Sequence, residues 1–205
     1  MVPLQVGITG GIGAGKSLVS RIFQALGVPV YDSDSRAKYV MTTDGILISN
    51  IKKEFGELSF HPDGSLNRPY LGELVFHDEK RLGKLNELVH PRVANDYRVW
   101  VSEHAQYEYL IKEAALLFES GSYKQLDHII LVFAPETLRI ARVVNRDKGR
   151  SPDQVRQIMA RQMSDDEKMK LADTVVWNDE SRLVIPQVLE LHKRFGLRTR
   201  HLAPG

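Results

Sequence analysis

The chain has 205 residues, enough for one α/β domain with insertions. Lys and Arg number 28 against 26 Asp and Glu, a formal charge of +2 that calls for no nucleic-acid partner, and 42% hydrophobic with 26% charged residues is ordinary for a soluble globular protein. Cysteine is absent, which excludes disulfide scaffolds, thiolate metal sites and cysteine nucleophiles.

The first element is a strand, Leu4–Thr9, with no signal-peptide pattern ahead of it. No apolar run approaches the ~20 residues of a bilayer span. The expectation is therefore a cytoplasmic protein without membrane contact. The strand leads into Gly10-Gly-Ile-Gly-Ala-Gly-Lys-Ser17, which fits G-x-x-x-x-G-K-[ST]. Gly10, Gly13, Ala14 and Gly15 would turn backbone N–H groups around a polyphosphate. Lys16 would reach the outer phosphates, and the Ser17 hydroxyl would join the shell of a phosphate-bound Mg²⁺. Helical spacing over Leu18–Leu26 aims a helix N-terminus at the anion, adding Leu18 to the loop's ligand set. Gly27 is placed to close that helix at C′.

A second strand is predicted over Val28–Tyr31, followed by Asp32-Ser33-Asp34. Ligands of open parallel sheets sit at the carboxyl ends of the strands, so Asp32 should face the loop. Phosphoryl transfer to an alcohol needs a carboxylate to orient the hydroxyl and take its proton. Period-two spacing would put Asp34 on the same side if the segment stays extended, whereas Asp34 alone could equally cap the next helix.

From Asp34 to about Ala105 helical patterns dominate: Ser35–Met41, Gly45–Phe55, Arg68–Phe76, Glu79–Val89 and Pro91–Ala105, with a loop at His61–Ser65. This is too long for a crossover and reads as a helical insertion, with His90-Pro91 at a helix junction. A third strand, Tyr109–Glu113, ends on an acid placed to serve the Mg²⁺ shell, and Glu119 lies in the turn after it. A fourth strand is expected at His128–Phe133. A helical excursion over Glu136–Leu171 carries Arg139, Arg142 and Arg146 on one face, suited to a lid closing over phosphates. Arg142 and Arg146 are the stronger candidates, Arg161 and Gln162 the weaker ones. Helix starts are expected at Ser151-Pro152 and Ser164, a fifth strand at Thr174–Trp177, and a solvated basic tail over His192–Arg194 and Arg198–His201.

A phosphate loop alone leaves several nucleotide-binding classes open. No D-x-x-G switch with an N-K-x-D base reader is present, since Asn145-Arg-Asp-Lys148 has those letters in the wrong order. What stays open is a kinase of a small acceptor, such as a nucleoside or nucleotide, or a module that senses nucleotide without transferring phosphate.

Taken together, Gly10–Ser17, Asp32-Ser-Asp34, Leu88-Val-His-Pro-Arg-Val93, Leu116-Leu-Phe-Glu119, Arg142-x-x-x-Arg146-Asp147, Gln162, Ala172-Asp173 and Asn178 resemble the dephospho-CoA kinases, in the family's order and over nearly the whole chain. The resemblance implies an α/β P-loop kinase with a five-stranded parallel sheet flanked by helices. Its core would span 1–34, 106–135 and 172–205, with a helical acceptor-binding insertion at 35–105 and a helical lid at 136–171. It also implies transfer of the ATP γ-phosphoryl group to the ribose 3′-hydroxyl of dephospho-CoA, with ATP and Mg²⁺ required. Asp32 would be the base, Lys16 and Arg142 would stabilise the transferring group, and Arg146 would bind ATP. Asp34, Arg68, His90, Leu117 and Glu119 would lie on the acceptor side, and Ser17 with Glu113 at the metal. One departure is visible: the family's D-x-P-L-L-F-E turn reads Glu113-Ala-Ala-Leu-Leu-Phe-Glu119 here.

Overall fold

Residues 2–76 and 78–200 are described by the structure, a computed structural model, with side chains as far as Leu197. The side chains of the basic stretch from Arg198 onward lie outside the described residues. Among the described residues no helix is long and apolar enough to cross a membrane. The chain forms two compact units, one of Met1–Asp32 with His104–Gly205 and the other of Ser33–Glu103.

An apolar run without alternation suits a strand covered on both faces. Leu4–Thr9 forms such a strand, β1, with its last four residues buried. Helix α1 (Lys16–Ala25) follows, burying Val19, Ser20 and Phe23. It closes as expected at Gly27: Gly27 N–H donates to Gln24 O at 2.9 Å and Val28 N–H to Phe23 O at 3.1 Å, the paired bonds of a Schellman end. Strand β2 is Val30–Asp32, shifted from the expected Val28–Tyr31. Pro29 has no N–H to give a ladder, and its carbonyl instead accepts from Ile111 N–H at 3.0 Å.

In the helical unit, α2 (Ser33–Thr43) starts directly after β2. Asp34 therefore sits in a helical first turn and not on an extended segment, which overturns the same-side pairing of Asp32 and Asp34; a carboxylate there is favoured by the helix dipole. Helices α3 (Gly45–Phe55) and α4 (Arg68–Phe76) match their predicted spans. Helix α5 runs unbroken over Glu79–Glu103 with Pro91 inside it, so the junction expected at His90-Pro91 does not exist. Pro91 cannot donate to Glu87 O and costs about 3 kcal/mol in a helix interior. Packing offsets this: Val89 is buried in the unit's core with Val40, Leu47, Ile51, Phe55, Phe60 and Leu71, and Leu85, Leu88 and Val93 pack against them.

Asp44 ties this unit together. Its side chain caps α3, accepting from Leu47 N–H at 2.9 Å, and takes the Arg92 Nε donor of α5 at 2.7 Å. Burial pushes its pKa up, but the Leu47 amide and the Arg92 guanidinium outweigh it and hold the carboxyl below its usual 3.8. A carboxyl depressed in the folded state stabilises above its unfolded pKa and loses that contribution as pH falls through the folded one. Urea unfolding of the wild type and Asp44→Asn should thus differ by about 1–2 kcal/mol at neutral pH, the gap closing only below about pH 4. A gap that is independent of pH would refute the charge-based account.

The other unit continues with β3 (Tyr109–Glu113), β4 (His128–Phe133), α6 (Glu136–Arg146), α7 (Pro152–Met159), α8 (Asp165–Leu171), β5 (Thr174–Trp177) and α9 (Val184–Arg200). Helices α7 and α8 open with full capping boxes, Ser151–Gln154 and Ser164–Glu167, at the two starts read from the sequence. The five strands form one parallel sheet in the order β2-β3-β1-β4-β5. One core cluster holds Val6, Ile8, Val19, Phe23, Val188, Leu191 and Phe195; a separate cluster holds Leu117, Phe118 and Ile129. The chain winds to one side of β1 as far as β3 and to the other side from β4, so the crevice of the sheet lies at the carboxyl end of β1.

Candidate active site

The phosphate loop fills that crevice. Gly15 caps α1 at φ 98°, a left-handed conformation that a side chain resists, and a Cβ there would lie 2.2 Å from Asn178 Nδ2. No side chain caps α1 and its first turn holds no acid, so the helix start is left to an anionic ligand. Gly10 and Gly13 are close-packed, with ideal Cβ positions 2.4 Å from Val132 O and 2.5 Å from Arg139 O, and Ala14 is buried. Lys16 folds along the loop, its ammonium donating to Gly10 O at 3.0 Å and Gly11 O at 3.4 Å. Leu18 is about half exposed one residue beyond Ser17.

Acidic residues meet the loop where parallel register brings them. Asp32 ends β2 opposite Glu113, which ends β3 opposite Ile8 of β1. The Ser17 hydroxyl donates to Glu113 Oε1 at 3.0 Å. Two residues 96 apart in sequence thus form one oxygen pair, of the hard-donor kind that suits Mg²⁺ alongside phosphate and water. No group of three or more His, Cys, Asp or Glu suited to a metal occurs among the described residues, so a cation here would need its remaining ligands from phosphate and water. Lys112, one residue before Glu113, was missed by sequence reasoning: it is buried in the sheet, and burial pushes its ammonium down to about 8. Strand alternation turns it to the opposite face from Glu113, apart from the acid pair.

The arginines divide. Arg139, expected over the phosphates, is instead a buried brace: its Nη2 donates to Asp165 Oδ2 at 2.7 Å, and its Nη1 lies where a Cβ on Gly11 would be. Arg142 donates to Asn178 O at 3.0 Å and pairs with Glu180 at 3.4 Å, while Arg146 pairs with Asp147 at 2.7 Å. Asn178 and Gln162 also hold the loop, roles that sequence reasoning did not assign. Asn178 Nδ2 donates to Ala14 O at 2.8 Å, and Ile12 N–H donates to Gln162 Oε1 at 3.0 Å. The signal for both was their place among the residues that resemble the family, Asn178 lying also just past the carboxyl end of β5.

Leu117, expected on the acceptor side, is fully buried against Phe118 and Ile129 and packs the core instead. Glu119 accepts from Met163 N–H at 2.9 Å and lies 3.3 Å from the wholly buried Lys168 ammonium, an ion pair without hydrogen-bond alignment. In the helical unit, Asp34, Arg68 and His90 are exposed on α2, α4 and α5.

The sequence profile described as Dephospho-CoA kinase matches residues 4–183. The chain is 40% identical to the Bacteroides fragilis dephospho-CoA kinase over 188 residues, 92% of this chain and 91% of that one. It is 37% identical to the Listeria monocytogenes dephospho-CoA kinase over 194 residues, 93% and 96% of the two. A Thermus thermophilus protein of known crystal structure superposes over the full length of both chains with TM-score 0.81 and 33% identity. The dephospho-CoA kinase from Campylobacter jejuni shares the fold at TM-score 0.71 and 23% identity, over 95% of this chain and 98% of that one.

Proposed function

The chain belongs to the dephospho-CoA kinase family and is an ATP-dependent kinase, and from that premise we propose how its residues divide the reaction. The γ-phosphoryl group of ATP passes to the ribose 3′-hydroxyl of dephospho-CoA. Asp32 takes the hydroxyl proton as the oxygen attacks γ-phosphorus, and the bond to the β–γ bridging oxygen breaks to leave ADP. The observation that carries this reading is the register of Asp32 beside Glu113, whose carboxylate accepts from Ser17 at the end of the phosphate loop.

Gly10, Gly13, Ala14, Gly15, Ser17 and Leu18 bind the phosphates, and Lys16 with Arg142 offsets the negative charge of the transferring group. Arg146 contacts ATP from α6. Ser17 and Glu113 would hold Mg²⁺, which would supply charge neutralisation on the phosphates. Glu113 fits this role despite replacing aspartate, since its carboxylate already reaches Ser17. Asp34, Arg68 and His90 of the helical unit recognise the acceptor. The near-balanced charge supports small-molecule substrates over nucleic acid, and a cytoplasmic location accords with cysteine-free composition.

Coupled ADP release with a panel of acceptors tests the assignment. Turnover with dephospho-CoA and none with nucleosides is expected; turnover with nucleosides alone would overturn it, and failure to consume ATP with any acceptor would favour a nucleotide sensor. Lys16→Ala is expected to lower kcat by about 10²–10³-fold in the same assay, the size of losing one preorganised charge donor. An unchanged kcat would remove Lys16 from the transfer step.

A further inference from the structure

The short link between α7 and α8 is tied on two sides. Gln162 Oε1 accepts from Ile12 N–H in the phosphate loop at 3.0 Å. The next residue, Met163, donates its N–H to Glu119 Oε1 at 2.9 Å, and Glu119 pairs with buried Lys168 on α8. Arg139 of α6 fastens the start of α8 through Asp165. The carboxamide of Gln162 is therefore presented by a link anchored independently of the loop.

What it holds is a single peptide group. The N–H of the Gly11–Ile12 peptide goes to Gln162, and its carbonyl, Gly11 O, accepts from Ala14 N–H at 3.1 Å and from Lys16 Nζ at 3.4 Å. A planar peptide cannot turn one end without the other. Pinning the N–H thus pins one of the two carbonyls that the Lys16 ammonium meets, the other being Gly10 O at 3.0 Å. We propose that Gln162 is a positioning residue for phosphoryl transfer, acting through the Gly11–Ile12 peptide on Lys16. It rests on the reading of Lys16 as a transfer-step residue, and goes beyond it by naming what orients Lys16. A Cβ at Gly11 would meet Arg139 Nη1 at 1.9 Å, so a side chain there would displace the guanidinium that fastens α8.

A double-mutant cycle on the full chain tests it. Gln162→Met keeps the length of the side chain and removes the acceptor. In the wild-type background it should lower kcat about tenfold, with KM for dephospho-CoA and the melting temperature unchanged, and should speed hydrogen exchange at the Ile12 amide. In the Lys16→Ala background the same change should lower kcat by less than about twofold, because coupled residues are not additive. An equal loss in both backgrounds, a loss that tracks a fall in melting temperature, or no loss in the wild-type background would overturn the proposal. The Ile12 exchange rate is read without any acceptor, so a wrong acceptor assignment shows as absent turnover of dephospho-CoA by the wild type and leaves this readout intact.

Discussion

Asp32→Asn is expected to lower kcat with dephospho-CoA by about 10³-fold while ADP affinity stays at the wild-type level. Asparagine keeps the shape while removing the charge and with it the ability to take a proton. Asp32 is exposed at the last position of β2, so the substitution strands no buried charge and the fold should not respond. Calorimetric ADP titration together with single-turnover phosphoryl transfer separates the two effects. Retained turnover would remove Asp32 as the base, and lost ADP binding would mean that it serves the nucleotide instead. Neighbouring Glu113 makes a useful contrast. Its carboxylate accepts from Ser17, so its loss should be felt in nucleotide binding as well as in rate.

Glu119→Ala is expected to destabilise the protein by about 3–5 kcal/mol, because it leaves the Lys168 ammonium buried without its partner carboxylate. For a chain of this size that lowers the melting temperature by about 10 °C. Replacing both partners, Glu119→Leu with Lys168→Met, should recover most of the loss, since apolar substitutes remove the desolvation cost along with the attraction. Thermal melts of the single and double variants check this. The resemblance to the family implies an acceptor-side role for Glu119. Under that reading Glu119→Ala raises KM for dephospho-CoA and leaves the melting temperature alone, so one pair of measurements separates the two. The geometry favours the anchor: this carboxylate is already committed to Met163 N–H and Lys168.

The phosphate loop, the strands and the capped helix starts were legible because each rests on neighbouring residues. Glycine spacing, apolar runs and Ser-x-x-Gln or Ser-x-x-Glu boxes are local signals, and the structure returns them at the same residues except for β2, which lies at Val30–Asp32. Errors fell where a local rule met a competing one. Pro91 reads as a helix break, yet apolar residues on both sides of it pack into one core and hold α5 continuous. Asp34 left two readings open, a place beside Asp32 on an extended segment or a helix cap, and the start of α2 at Ser33 removes the first. Arg139 shares a helix face with Arg142 and Arg146, but helical spacing cannot say what that face meets. The partner of Arg139, Asp165, lies 26 residues away on another helix.

By itself, then, the sequence determined that this chain has a phosphate-binding strand–loop–helix, a parallel sheet around it, and acids at the strand ends. These follow from backbone propensity and hydrophobic period, which act over a few residues. Only the tertiary structure decided which side chains serve the loop's geometry and which face outward. Ser17 with Glu113, Ile12 with Gln162, Ala14 with Asn178 and Glu119 with Lys168 are 49 to 164 residues apart. Such pairs are set by strand register and helix packing, and those are properties of the whole fold rather than of any segment within it.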